Sequence, residues 1–87
     1  PLRFVIEMFC DRVAASKVYQ GKDYTDDFSL AYLHRGHDMP EMHPDTYRLL
    51  EYWLTMLAEK GEKETFAYLR SLNPRGEYPP IPESGEN

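Results

Sequence analysis

The chain has 87 residues, with 10 Lys and Arg against 15 Asp and Glu, for a net charge of −5. That balance lacks the basic footprint needed to neutralise phosphates and excludes a generic nucleic-acid binder. Cys10 is the single cysteine, which excludes an internal disulfide framework or a paired-cysteine zinc site, and the short apolar runs fall far short of the roughly 20 residues that cross a bilayer.

The expected class is therefore one acidic, soluble, cytoplasmic domain. No signal peptide opens the chain, and its start at Pro1-Leu2-Arg3 suggests a piece trimmed from something longer. A domain this small buries a modest share of its unfolded surface. Its aromatic content, 14%, supplies large buried areas at little rotamer cost.

Taken in chain order, the predicted elements are all helical. Residues 2–20 contain no Gly or Pro and follow Pro1, as a helix N-terminus favours. A second helix is predicted over 27–35, with Thr25, Asp26 or Asp27 as its cap. A third runs over 44–60, opened by Pro44 and Asp45 and closed by Lys60, the charges that the helix dipole favours. A fourth covers 62–72, with Phe66, Leu69 and Leu72 on one face. Gly21, Gly36 and Gly61 each follow an apolar-periodic segment, where a left-handed cap residue is expected. The expected architecture is a small all-α, four-helix bundle over 1–72. A Pro-rich tail follows over 73–87, either lying along the body or disordered. Pro79 and Pro82 make a PxxP match that could also serve as a docking ligand.

Two helices carry the informative patterns. On the first, Glu7 and Asp11 stand one turn apart on a face shared with Phe4, Ala14, Ala15 and Val18. Carboxylates buried among such residues have to be paired or bind a cation. One solution is an Arg3–Glu7 pair, with Asp11 answered by a basic side chain from elsewhere. On the third, apolar residues cover about two-thirds of the circumference, more than the roughly 100° stripe of a surface helix. Either it is the central helix of the bundle, or it also meets a second chain or another part of the same protein through Tyr47, Trp53 and Met56.

Other candidates are thinner. His34, His37 and Asp38 have spacing that suits a metal only if helical geometry persists past Gly36, and His43 precedes Pro44. His34 near a helix C-terminus also has a plain electrostatic role. Cys10, beside Asp11, reads as a buried structural thiol, because an acidic neighbour raises a thiol pKa. Gly21-Lys22 lacks the remaining residues of a phosphate-binding loop.

Phe4 to Lys17 (FVIEMFCDRVAASK), Gly21 to Asp26 (GKDYTD), Met42 to Thr46 (MHPDT), Leu54 to Glu62 (LTMLAEKGE) and Thr65-Phe66 together resemble a bacterial and phage family, domain of unknown function 5662. The resemblance covers residues 2 to 72 and corresponds to the C-terminal half of family members about twice this length. Their upstream half carries a His-Asp pair followed by Ser-Lys, and a later His-rich stretch, which look like the metal-binding pattern of HD-type phosphohydrolases. The resemblance thus implies an HD-like, partial helical domain that is inactive alone. It completes a metal-dependent phosphohydrolase in the full-length protein, with Asp11 as ligand to a divalent metal and Glu7 as an outer residue or base. Its partner is then the upstream half of the same protein or another copy. The expectation from another class is a non-catalytic helical interaction or oligomerisation module using Tyr47, Trp53 and Met56.

Overall fold

In the computed structural model, which describes residues 2–35 and 42–81, all regular structure is helical. Helix α1 spans Leu2–Gln20, a short 3-10 turn spans Gly21–Asp23, α2 spans Phe28–Arg35 and α3 spans Pro44–Arg70.

Helix α1 stops at Gly21, whose φ of 57° carries no Cβ penalty. The 3-10 turn was not anticipated. It tightens the exit from α1 and is closed by the Tyr24 N–H donating to the Gly21 carbonyl at 3.2 Å. Ahead of α2, the Phe28 N–H donates to the Thr25 carbonyl at 3.1 Å, and the Thr25 hydroxyl donates to Asp27 Oδ1 at 2.6 Å. Asp27 stands at the N-cap position, since its carbonyl takes the first helical hydrogen bond, from Ala31, at 3.1 Å. The cap expected at Gly36 lies outside the described residues.

Helix α3 begins at a well-made cap. The ring of His43 accepts through Nδ1 from the Asp45 N–H at 3.0 Å, Pro44 occupies the first turn, and Asp45 adds negative charge where the dipole favours it. The third and fourth helices expected from the sequence are the two arms of one run, α3, which meet at a kink where Gly61 leaves helical geometry. Gly61 interrupts that run with φ 88° and ψ 174°, a conformation open almost only to glycine. The run ends at Arg70, two residues earlier than expected, where Ser71 caps it with its N–H.

The kink decides the packing. Buried side chains of α1 are Leu2, Val5, Phe9, Val13 and Ser16, a single stripe at helical spacing. Those of α3 before the kink are Leu49, Leu50, Trp53, Leu54 and Leu57, spread over roughly 140° of the helix. An arc that wide is covered from two sides, by α1 and by α2 with Leu33. Beyond Gly61, the arm turns Thr65 and Leu69 into the same core. Phe9 stands edge-on to Trp53, ring centroids 6.1 Å apart and planes at 86°, and edge-on to Phe66 at 5.6 Å and 67°. It therefore links the two arms of α3.

Residues 73–81 lie along the body. The Arg3 N–H donates to the Pro74 carbonyl at 3.0 Å, the Tyr78 phenol bonds Thr46 Oγ1 at 2.8 Å, and Ile81 packs on the core. One of these bonds satisfies an N–H that the first turn of a helix leaves without an intrahelical partner. Pro82, and with it the PxxP pattern, lies outside the described residues.

Backbone torsion at the kink leads to a direct expectation. A Cβ at Gly61 would meet nothing closer than Asp26 Oδ2 at 3.9 Å, so the penalty for a side chain is torsional and not steric. Gly61→Ala should cost about 1–3 kcal/mol in urea unfolding. Gly21→Asn should cost less than about 1 kcal/mol, because asparagine tolerates the left-handed region.

Candidate functional site

Trp53 is the first expectation to be corrected. Its side chain has 0% exposure and sits at the centre of the core, so it belongs to no surface. Tyr47 is half-buried and packs on the same core, and Met56 is half-buried. The surplus apolar surface of α3 is consumed within the chain, by α1, α2 and its own second arm. Trp53 Nε1 makes no hydrogen bond of ordinary geometry. The Tyr68 phenol is pushed up by burial, partly offset by its interaction with Trp53.

The second correction concerns the outer side of α1. Glu7 and Asp11 are both exposed, as are Phe4, Ala14, Ala15 and Val18. The cost of burying carboxylates therefore does not arise here. No Arg3–Glu7 ion pair forms either; the Arg3 guanidinium lies over the Phe4 ring, 6.0 Å from its centroid. Lys17, in the last turn of the helix, pairs with Glu62 at 2.7 Å. Neither Glu7 nor Asp11 has an ion-pair partner among the described residues.

At 100° per residue, Phe4, Glu7, Asp11, Ala14, Ala15 and Val18 occupy an arc of about 100°, opposite the buried stripe. Helix α1 thus carries apolar and small residues on two opposed sides, of which the fold buries one and leaves the other, with Glu7 and Asp11, exposed. Four large hydrophobic residues are exposed among the described residues, and three of them are on α1: Phe4 at 55%, Val18 at 86% and Tyr19 at 80%. The fourth is Tyr78. Sequence reasoning singled out this face and assumed it was buried. It missed Tyr19, which flanks the arc.

Beside this face a cleft of about 370 Å³ opens between α1 and α2, bordered by Ala15, Tyr19, Phe28 and Tyr32. The Phe28 and Tyr32 rings stack at 6.1 Å, their planes inclined by 19°, one turn apart on α2. Ser16 and Ser29 line it as buried hydroxyls 2.7 Å apart. Ser16 Oγ donates to the Arg12 carbonyl at 2.8 Å, so the proton between the two serines belongs to Ser29. Small side chains here let α1 and α2 approach closely.

The histidines have structural work. His34 Nε2 and Glu51 Oε2 are 2.7 Å apart, tying α2 to α3, and His43 caps α3. His37 and Asp38 lie outside the described residues. Cys10 is exposed, which corrects its reading as a buried thiol; partial desolvation, and then Asp11 beside it, push that thiol up. Among the described residues no group of three or more His, Cys, Asp or Glu is placed to hold a metal ion. No helix there is long and apolar enough to cross a membrane. No protein-family model, curated protein or solved structure matches the chain.

Tyr24, at the junction below the Gly61 kink, is the most perturbed phenol. Its pKa is pushed up to about 12 by burial and then by Asp26, Glu62 and Asp27, and its hydroxyl is buried without a hydrogen bond. Lys17 Nζ stands 5.7 Å from its ring centroid. A phenol whose folded pKa lies above its unfolded one contributes stability present below about pH 10 and lost as pH rises towards about 12. Comparing pH-dependent urea unfolding of the wild type and Tyr24→Phe should show that the variant lacks this fall in stability between about pH 10 and 12. At neutral pH the variant should match the parent or exceed it by up to about 1 kcal/mol, because it removes an unpaired buried hydroxyl.

Proposed function

We propose that this domain is a non-catalytic helical interaction module whose binding surface is the outer face of α1. The supporting observation is the concentration of exposed large apolar side chains, Phe4, Val18 and Tyr19, on one helix whose opposite face already serves the core. Phe4 stands near the start of α1 and Val18 and Tyr19 near its end, about 21 Å away along the helix. They mark the two ends of an exposed face whose middle is small and acidic, and the excess of such residues on one helix is what supports a surface meant to be covered. The interaction reading thus moves from α3, where Trp53 is sealed, to α1. The residues that now carry it are Phe4, Val18 and Tyr19, with Ala14 and Ala15 permitting close approach of a second backbone.

One observation favours a second reading, the HD-like metal-dependent phosphohydrolase. Glu7 and Asp11 stand one turn apart on that same exposed face with no cation among the described residues paired to either. In the intact protein an upstream half supplying histidines would cover the face, with Asp11 as metal ligand and Glu7 as an outer residue or base. A divalent metal there supplies an activated water for attack on a phosphate ester. Two carboxylates do not by themselves make such a site, so on this reading the chain alone is inactive.

The two readings separate in the intact protein from its source. On the first, size-exclusion chromatography finds the protein in an assembly larger than itself. Phe4→Ser with Val18→Ser then releases it, while the stability of the domain changes by no more than about 0.5 kcal/mol, as for exposed positions. An unchanged elution volume would refute that reading. On the second, Asp11→Asn strips a bound divalent metal, measured by elemental analysis, without altering the fold; unchanged metal content would sink it.

A further inference from the structure

The outer face of α1 is uniform in the sign of its charge as well as apolar. Within the arc formed by Phe4, Glu7, Asp11, Ala14, Ala15 and Val18, both ionisable groups are carboxylates. The cations near its margins are already engaged: Arg3 lies over the Phe4 ring, Lys17 pairs with Glu62, and Arg12, which lines the adjoining cleft, has an interaction of its own. An ordinary solvent-facing helix side mixes Glu and Lys at i, i+4 spacing, which stabilises it by a few tenths of a kcal/mol per pair. Here the i, i+4 pair is Glu7 and Asp11, like charges that oppose each other by a similar amount. The helix thus bears a small electrostatic cost and an exposed apolar seam on the same side. A partner that contributes cations relieves both.

We infer that the occupant of this face is a basic amphipathic helix. It would present apolar side chains to Phe4, Ala15 and Val18 and set Lys or Arg one turn apart against Glu7 and Asp11. This rests on the interaction reading given above and names the chemistry of its partner. Charge complementarity selects this occupant over a second copy. In a two-fold antiparallel pairing centred on the face, Asp11 meets the Asp11 of the other copy. In a parallel pairing, Glu7 and Asp11 each meet themselves. Like charges placed opposite each other across an interface penalise that pairing. Two chains of net charge −5 also repel at long range. The small side chains of Ala14 and Ala15 allow the partner backbone to come close. The cleft bordered by Ala15, Tyr19, Phe28 and Tyr32 opens at the edge of the face and offers an aromatic-walled recess for one anchoring side chain. The charged pairs lie at the exposed edge of a single helix face, so the complex should be salt-sensitive.

The probes for testing this are three synthetic amphipathic helices of equal length. They share one Leu/Ala face and carry Lys, Gln or Glu at the flanking positions. Binding is followed by calorimetry and by amide shifts of the labelled domain. The Lys helix should bind with shifts confined to the outer side of α1, and its affinity should fall as ionic strength rises. The Glu helix should bind at least about tenfold more weakly. Glu7→Lys with Asp11→Lys should reverse that order, binding the Glu helix better. These positions are exposed, and circular dichroism would verify that the variant is folded.

Equal binding of all three helices would overturn the basic partner while leaving the apolar face as the interaction surface. Binding of the Lys helix that survives Phe4→Ser with Val18→Ser, or whose shifts map elsewhere, would overturn both. Self-association of the domain through this face, seen by sedimentation and lost in the same double variant, would replace the basic helix with a second copy. Absence of binding by any of the three helices would overturn the inference.

Discussion

The contact on which this fold depends is the edge-on meeting of Phe9 with Trp53 and Phe66. Trp53 belongs to α3 before the Gly61 kink and Phe66 to the arm after it, so the ring of Phe9 touches both limbs of a bent helix. Neither contact forms unless the chain bends at residue 61, and the bend needs a backbone conformation that a side chain makes costly. Glycine at that point is therefore a condition for the core, and α1 is the strut that the bent helix closes around. Lys17 with Glu62 adds a surface clasp beside the kink, worth less than about 1 kcal/mol at this exposure.

Closing α3 around one side of α1 leaves the other side open. The breadth of apolar surface on α3 is satisfied internally, whereas the second apolar side of α1 has nothing against it among the described residues. This distribution runs against a reading in which the longest helix, with the widest apolar arc, makes the intermolecular contact. A helix in the middle of a small bundle needs a wide apolar arc merely to meet its own neighbours. A helix at the periphery needs only one stripe, and a second stripe on such a helix is the informative excess. Glu7 and Asp11 lie inside that excess, which is why the interaction and metal-ligand readings fall on the same few residues.

Much of the local structure was legible because its causes are local. The helix start at Pro44-Asp45, the glycine stop at Gly21 and the helical stretch from Leu2 to Gln20 follow from torsion and dipole preferences within a few residues. The candidate site was half legible. Helical periodicity placed Glu7, Asp11, Phe4, Ala14, Ala15 and Val18 together, but periodicity cannot say which of two apolar stripes the core takes. Leu2, Val5, Phe9 and Val13 won because they combine larger and branched side chains with the one ring placed to meet Trp53. The role of Tyr19 and the exposure of Cys10 follow from that choice, and nothing local to either residue announces it.

By itself, the sequence determined an all-helical chain, its main boundaries, its acidic charge and the residues able to form each helical face. Those properties depend on interactions within one or two turns, which any window of the sequence contains. Tertiary structure alone decided the angle at which the two arms meet at Gly61, that Trp53 is sealed inside, and that Phe4, Val18 and Tyr19 face outward. The physical reason is competition. Several apolar surfaces qualify for burial in a domain of this size, and only the packing of distant segments against one another settles which of them is left for a partner.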